Sequence, residues 1–265
     1  MKRLISIFML ACVFSGISAG IGHDLNSECN IISEIDNLSW PDTISRTSLL
    51  IRPVNIDIVA PSSGVQFYRD GIIFLSCTKA EESFPEKHLS FGSPKIFRTT
   101  INDTLPGECL PFEFSTNKIF PSEATTFTDD FKTMYLSFIP DRKDKEKIFT
   151  ATDGLTGWVI EDNPLDFCSD DYIYSHPSLS ADGTFMIFSS NRPGSYGGLD
   201  LFISRKLNEG WSDPQNIGRH INSEGTELFA SLDAENNLYF SSDGLPGFGG
   251  YDIFVCLYNG TGWDN

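Results

Sequence analysis

From Val54 onward, short apolar runs are separated by turns rich in glycine and aspartate, the punctuation of β-strands. Val54–Val59 alternates apolar and polar residues as a half-buried strand does. Strands follow at Val65–Tyr68, Ile72–Ser76 and Lys95–Thr99, with Asp70-Gly71 as the first turn, where glycine accepts a positive φ. The order then recurs as Ala124–Phe127, Thr133–Phe138 and Lys147–Ala151, with Gly157-Trp158 opening a fourth strand. It recurs again as Ser175–Leu179, Phe185–Ser190, Asp200–Arg205 and Gly210-Trp211, and once more as Leu228–Leu232, Leu238–Ser242, Asp252–Leu257 and Gly262-Trp263.

The last two units are near copies. Ser180–Phe202 and Leu232–Phe254 align at an offset of 52, which matches Phe188-Ser189-Ser190 to Phe240-Ser241-Ser242, Gly197-Gly198 to Gly249-Gly250, and Asp200 to Asp252. Third-strand phenylalanines fall at Phe97, Phe149, Phe202 and Phe254, at intervals of 52, 53 and 52. Gly-Trp pairs place Trp158, Trp211 and Trp263 at intervals of 53 and 52. A self-similar unit of this length, made of short strands and glycine turns, predicts an all-β fold: a β-propeller of four-stranded antiparallel blades. The large rings are expected to pack between neighbouring blades.

Four blades are visible, at about 60–112, 113–163, 164–216 and 217–265 of a propeller spanning 54–265. The chain is expected to hold an incomplete ring, with Val54–Val59 as the outer strand of a blade outside this sequence. A complete four-bladed ring is the alternative.

Lys2 and Arg3, the apolar run Leu4–Phe14 and small residues up to Gly20 read as a secretory signal peptide, residues 1–20. The run is too short to span a bilayer, so no membrane span is expected after cleavage. A lipoprotein reading through Cys12 leaves too little apolar chain before the cysteine. Residues 21–53 form an N-terminal extension without a clean period, with a short helix conceivable at Asn30–Leu38.

The formal charge is −17, and without Lys2 and Arg3 it becomes −19, 36 acids against 17 bases. Such a surface opposes nucleic acid and anionic lipid. Cys29, Cys77, Cys109, Cys168 and Cys256 remain after export, an odd number that leaves at least one free thiol. Their pairing cannot be read from spacing.

Ser189–Phe202 and Ser241–Phe254 resemble the WD-like repeats of TolB-type propellers. The resemblance is specific over residues 170–265, weaker over 60–160 and absent before 50. The variant is similar to periplasmic Gram-negative proteins that often carry an OmpA-like, peptidoglycan-binding domain, one group of which belongs to the type IX secretion and gliding apparatus. No OmpA-like domain is present in this sequence. The resemblance implies a periplasmic envelope scaffold that binds proteins, with outer-membrane or peptidoglycan-associated partners.

Read from the residues alone, Gly194, Gly197 and Gly198, like Gly247, Gly249 and Gly250, let the second-to-third-strand loops fold tightly. Asp200 and Asp252 stand where a carboxylate can accept loop N–H groups. Phosphate binding would need a Gly-Lys-Ser/Thr and a helix, and neither follows. Ca²⁺ at Asp200 or Asp252 would need a denser set of acids. No cofactor and no metal are expected, and the reading is non-enzymatic.

The histidines, His23, His88, His176 and His220, lack partners at motif spacing, and Gly-x-Ser-x-Gly and His-Glu-x-x-His are absent. The alternative function is a glycan hydrolase or carbohydrate-binding propeller, with Asp129, Asp130 or Glu227 as the acids. Asp129 and Asp130 also suit a turn for backbone reasons. Asn37, Asn102 and Asn259 head glycosylation sequons that carry no weight in the bacterial setting the resemblance implies.

Antiparallel blades send second-to-third loops and blade-to-blade connections to one face. A protein partner is expected there, against Asp170, Asp171, Arg192, Tyr196 and Phe248, because aromatic and arginine side chains anchor interfaces.

Overall fold

A computed structural model describes residues 59–77, 94–102, 105–115, 121–141, 143–155 and 157–264. The segment read as a signal peptide, the extension 21–53 and Val54–Ile58 of the expected outer strand lie outside them.

Four antiparallel sheets, in chain order, form the blades of a propeller, and the described residues hold no helix. Blade one comprises β1 (Val59–Tyr68), β2 (Gly71–Cys77) and β3 (Pro94–Asn102). Its outer edge is two short pieces, β4 (Leu105–Pro106) and β5 (Leu110–Pro111), both paired with β3. Blade two is β6 (Pro121–Phe127), β7 (Thr133–Phe138), β8 (Lys147–Gly154) and β9 (Gly157–Pro164). Blade three is β10 (Tyr174–Leu179), β11 (Phe185–Ser190), β12 (Asp200–Arg205) and β13 (Gln215–Asn216). Blade four is β14 (Glu227–Leu232), β15 (Leu238–Ser242), β16 (Asp252–Tyr258) and β17 (Trp263–Asp264).

The sequence period is a structural register. Phe97 lies opposite Phe74, Phe149 opposite Leu136, Phe202 opposite Phe188 and Phe254 opposite Phe240, always on the second strand of the same blade. Three apolar clusters fill the seams between consecutive blades. The first joins Tyr68, Ile73 and Ile96 to Met134, Leu136, Phe149 and Trp158. The second joins Tyr135 and Ile148 to Met186, Phe188 and Phe202, with Trp211 against it. The third joins Phe185, Ile187 and Leu201 to Leu238, Phe240, Cys256 and Trp263. The rings therefore act as wedges between sheets, as their period implies.

Neighbouring innermost strands are also stitched by one repeated hydrogen bond. Leu179 N–H donates to Thr126 Oγ1 at 3.1 Å, and Leu232 N–H donates to Ser178 Oγ at 3.1 Å. The innermost strands follow one another, β1 on β6, β6 on β10 and β10 on β14, with no comparable packing of β14 back on β1.

Two local expectations are corrected. Val59 belongs to β1, paired with Cys77, rather than to a separate outer strand. Trp211 does not open the fourth strand of blade three. It makes a single bridge with Lys206, and the strand begins four residues later at Gln215. The cause is the indole itself, which sits under the Lys206 ammonium at 4.7 Å and edge-on to Tyr135 of blade two at 5.5 Å. That wedge holds Trp211 out of the ladder.

Candidate interaction face

The loops β11–β12 and β15–β16 are built on the same clamp. Asp200, fully buried, accepts N–H groups from Tyr196 at 2.9 Å and Gly197 at 3.2 Å, and the Asn216 side-chain amide at 2.7 Å. Asp252 accepts N–H groups from Phe248 at 2.7 Å and Gly249 at 3.3 Å. A carboxylate in this place satisfies backbone donors of a loop too tight to pair with itself. Both clamps are thus occupied by donors, which no cation could replace without breaking them. No group of three or more metal-ligating side chains occurs among the described residues.

The glycines serve different ends in the two copies. A Cβ on Gly197 or Gly198 would collide with Gly225 and Thr226 of the connection into blade four, so close approach demands glycine there. Gly249 and Gly250 instead have φ of 115° and 70° and meet nothing within 4 Å.

The interaction candidates separate into two groups. Tyr196 is exposed, with the Arg219 guanidinium over its ring at 4.3 Å. Phe248 is fully exposed at the tip of its clamped loop. Asp170 is paired with Lys147, and the Asp171 carbonyl accepts the Lys145 ammonium at 2.5 Å, which ties the connection into blade three to the end of the β7–β8 loop. Arg192 is turned inward. Its guanidinium donates to the Pro214 carbonyl at 2.6 Å and to Asp213 at 2.8 Å, and lies over Phe202 at 5.8 Å. It braces blade three rather than standing free for a partner. Arg219 faces outward beside the Tyr196 ring, and its only sequence signal is a basic residue in the connection into blade four.

The acids weighed for glycan hydrolysis have structural neighbours. Asp130 accepts the Thr128 hydroxyl at 2.7 Å and the Lys132 N–H at 3.1 Å. Those bonds hold its carboxyl below the usual range, the wrong direction for a general acid. Asp182 repeats the motif with Ser180 and Thr184, and is lowered for the same reason. Glu227 is enclosed, accepting the hydroxyls of Ser223 at 2.5 Å and Ser242 at 2.7 Å, with Ser223 N–H at 3.1 Å. It knits the connection into blade four to the end of β15. Asn222, also buried, exchanges two bonds with the Leu201 backbone at 2.8 and 2.9 Å.

His176 occupies a bulge in β10 at φ 52°, its ring 4.2 Å from that of Phe229, which stands at φ 54° in β14. Burial lowers its pKa to about 4, so the imidazole is neutral at physiological pH.

No helix among the described residues is long and apolar enough to cross a membrane. No protein-family model matches the sequence, and no curated protein matches it. Among solved structures, TolB from Acinetobacter baumannii is similar at 16% identity, with 73% of this chain and 39% of that one covered and a TM-score of 0.43. A protein assigned as TolB from Agrobacterium tumefaciens is similar at 13% identity, covering 70% of this chain and 62% of that one, TM-score 0.40. A protein assigned as a glycoside hydrolase from Parabacteroides distasonis gives 13% identity, 76% and 70% coverage, and a TM-score of 0.43. The chain thus spans about two-fifths of the first of these and three-fifths of the second. Structural neighbours of this chain include TolB propeller proteins.

Proposed function

We propose that this propeller is a non-enzymatic scaffold of the bacterial cell envelope, exported and presenting its loop face to partner proteins. One observation carries the reading: an exposed aromatic pair, Phe248 and the arginine-capped Tyr196, held on loops whose backbones are fixed by Asp252 and Asp200. Aromatic side chains bury large area at low entropic cost, arginine adds anchoring polar contacts, and rigid loops lower the cost further. The net negative charge adds a preference for basic partners. Export rests on the N-terminal Lys2–Gly20 pattern. Outer-membrane and peptidoglycan-associated proteins are the partner class that the repeat resemblance suggests.

The test is affinity recovery from an envelope extract, with wild type beside a Tyr196→Ser, Phe248→Ser double variant and an Asp170→Lys, Asp171→Lys variant. Specific partners recovered by wild type should be lost from the first and reduced with the second. Recovery unchanged in both would refute the assignment of this face. Release of reducing ends from oligosaccharides by the purified chain, abolished by Glu227→Gln, would refute the non-enzymatic reading.

A further inference from the structure

One repeat position distinguishes blade four from the rest. Ile96, Ile148, Leu201 and Ile253 stand at successive offsets of 52, 53 and 52, each just before the third-strand phenylalanine. The first three are 5%, 0% and 0% exposed, and each belongs to the apolar seam with the following blade. Ile253 is 43% exposed. With Val255 and Leu257 it forms an alternating apolar row along β16, all three side chains exposed.

Two independent features agree. Thr126 and Ser178 each accept an N–H from the innermost strand of the following blade, whereas Ser231, at the same position in β14, has no such partner among the described residues. Gly197 and Gly198 are pressed on Gly225 and Thr226 of the connection into the following blade, whereas Gly249 and Gly250 face open space. Each is one half of a contact that an earlier blade completes with its successor: the apolar row and the hydroxyl acceptor in blades two and three, the glycine pair in blade three.

We infer that the outward face of blade four is a docking surface for one further antiparallel sheet of the same repeat type. Its innermost strand would donate an N–H to Ser231, its inward apolar face would cover Ile253 and Val255, and its entry connection would meet Gly249 and Gly250. The seams already described define that chemistry, since each following blade meets its predecessor with the row represented by Met186, Phe188 and Phe202, or by Leu238 and Phe240. The outward face of blade one is not this sheet's equivalent in a second copy. Its Ile72 and Phe74 are already buried, at 1% and 2% exposure.

The experiment measures maleimide labelling of an Ile253→Cys variant by peptide-resolved mass spectrometry. It compares the chain as it stands with a tandem in which residues 213–264 are repeated after Asp264, which keeps the repeat's own period. Labelling should be fast in the first and at least tenfold slower in the tandem, and Val255→Glu should restore it in the tandem while leaving the original chain's melting temperature unchanged. Equal labelling in a tandem whose added repeat is folded by near-ultraviolet circular dichroism would overturn the inference. Sedimentation of the unextended chain decides independently of whether the tandem folds. A monomer at micromolar concentration is expected, and a dimer dissolved by Val255→Glu would make a second copy the occupant instead.

Discussion

Asp200 and Asp252 occupy the same place in two nearly identical loops, so replacing each by alanine separates the effect of burial from that of sequence. Asp200 is fully enclosed and accepts three donors, the N–H groups of Tyr196 and Gly197 and the Asn216 amide. An unsatisfied buried donor costs about 1–3 kcal/mol, and part of the Asp200 loop can recover water, so Asp200→Ala should destabilise by about 3–5 kcal/mol. Asp252 is half-buried and accepts two donors on an exposed loop. Water can replace it there, and Asp252→Ala should cost about 1 kcal/mol. For a chain of this size each kcal/mol lowers the melting temperature by about 2–4 °C, so Asp200→Ala should melt roughly 6–20 °C early and Asp252→Ala only a few degrees early. Urea unfolding followed by tryptophan fluorescence and circular dichroism measures both. Equal losses, or a larger loss at Asp252, would refute the argument that burial of the clamp fixes its worth.

Three further outcomes follow from the same geometry. His176 has a folded-state pKa near 4 against an ordinary 6.5, so its contribution is complete above about pH 6.5 and is lost as pH falls toward 4, by up to about 3 kcal/mol. His176→Phe should flatten stability over that window, and an unchanged slope in urea unfolding would contradict the assignment. Phe188 is fully buried in a seam and Phe254 only half-buried, so Phe188→Ala should cost about 3–5 kcal/mol and Phe254→Ala less than half of that in the same assay. Burial pushes the Cys168 thiol up to about 12, from an ordinary 9.0. Its thiolate fraction at pH 8 falls about a thousandfold, and iodoacetamide should label it only on unfolding.

The architecture was legible because the repeat is written in residues with one physical role. Phe149, Phe202 and Phe254 recur because each pairs across β-strands at the same register, and a one-residue slip would turn every such ring to the opposite face. The outer edges were less legible. Blade one lacks a Gly-Trp pair and closes with the proline-bearing pieces β4 and β5, while Trp211 is drawn out of its ladder by Tyr135 and Lys206, distant in sequence. The bulges at His176 and Phe229 carry no glycine to announce their positive φ. At the loop face, Arg192 reads as an exposed anchor only until Asp213 and the Pro214 carbonyl fold against it, partners about twenty residues away. An aromatic residue in a glycine loop has no sequence signal for pointing in or out, and only the fold separates the exposed Phe248 from a core ring.

The equivalence of the blades is tested most directly by cross-strand nuclear Overhauser contacts in perdeuterated protein carrying protonated phenylalanine. Ring contacts should join the directly cross-strand pairs Phe74 and Phe97, centroids 6.1 Å apart, Phe188 and Phe202 at 6.4 Å, and Phe240 and Phe254 at 5.7 Å, in blades one, three and four, whereas blade two sets Leu136 opposite Phe149. Absence of these three pairs, with Phe97, Phe202 and Phe254 instead meeting different strands in each unit, would contradict a stack of equivalent sheets.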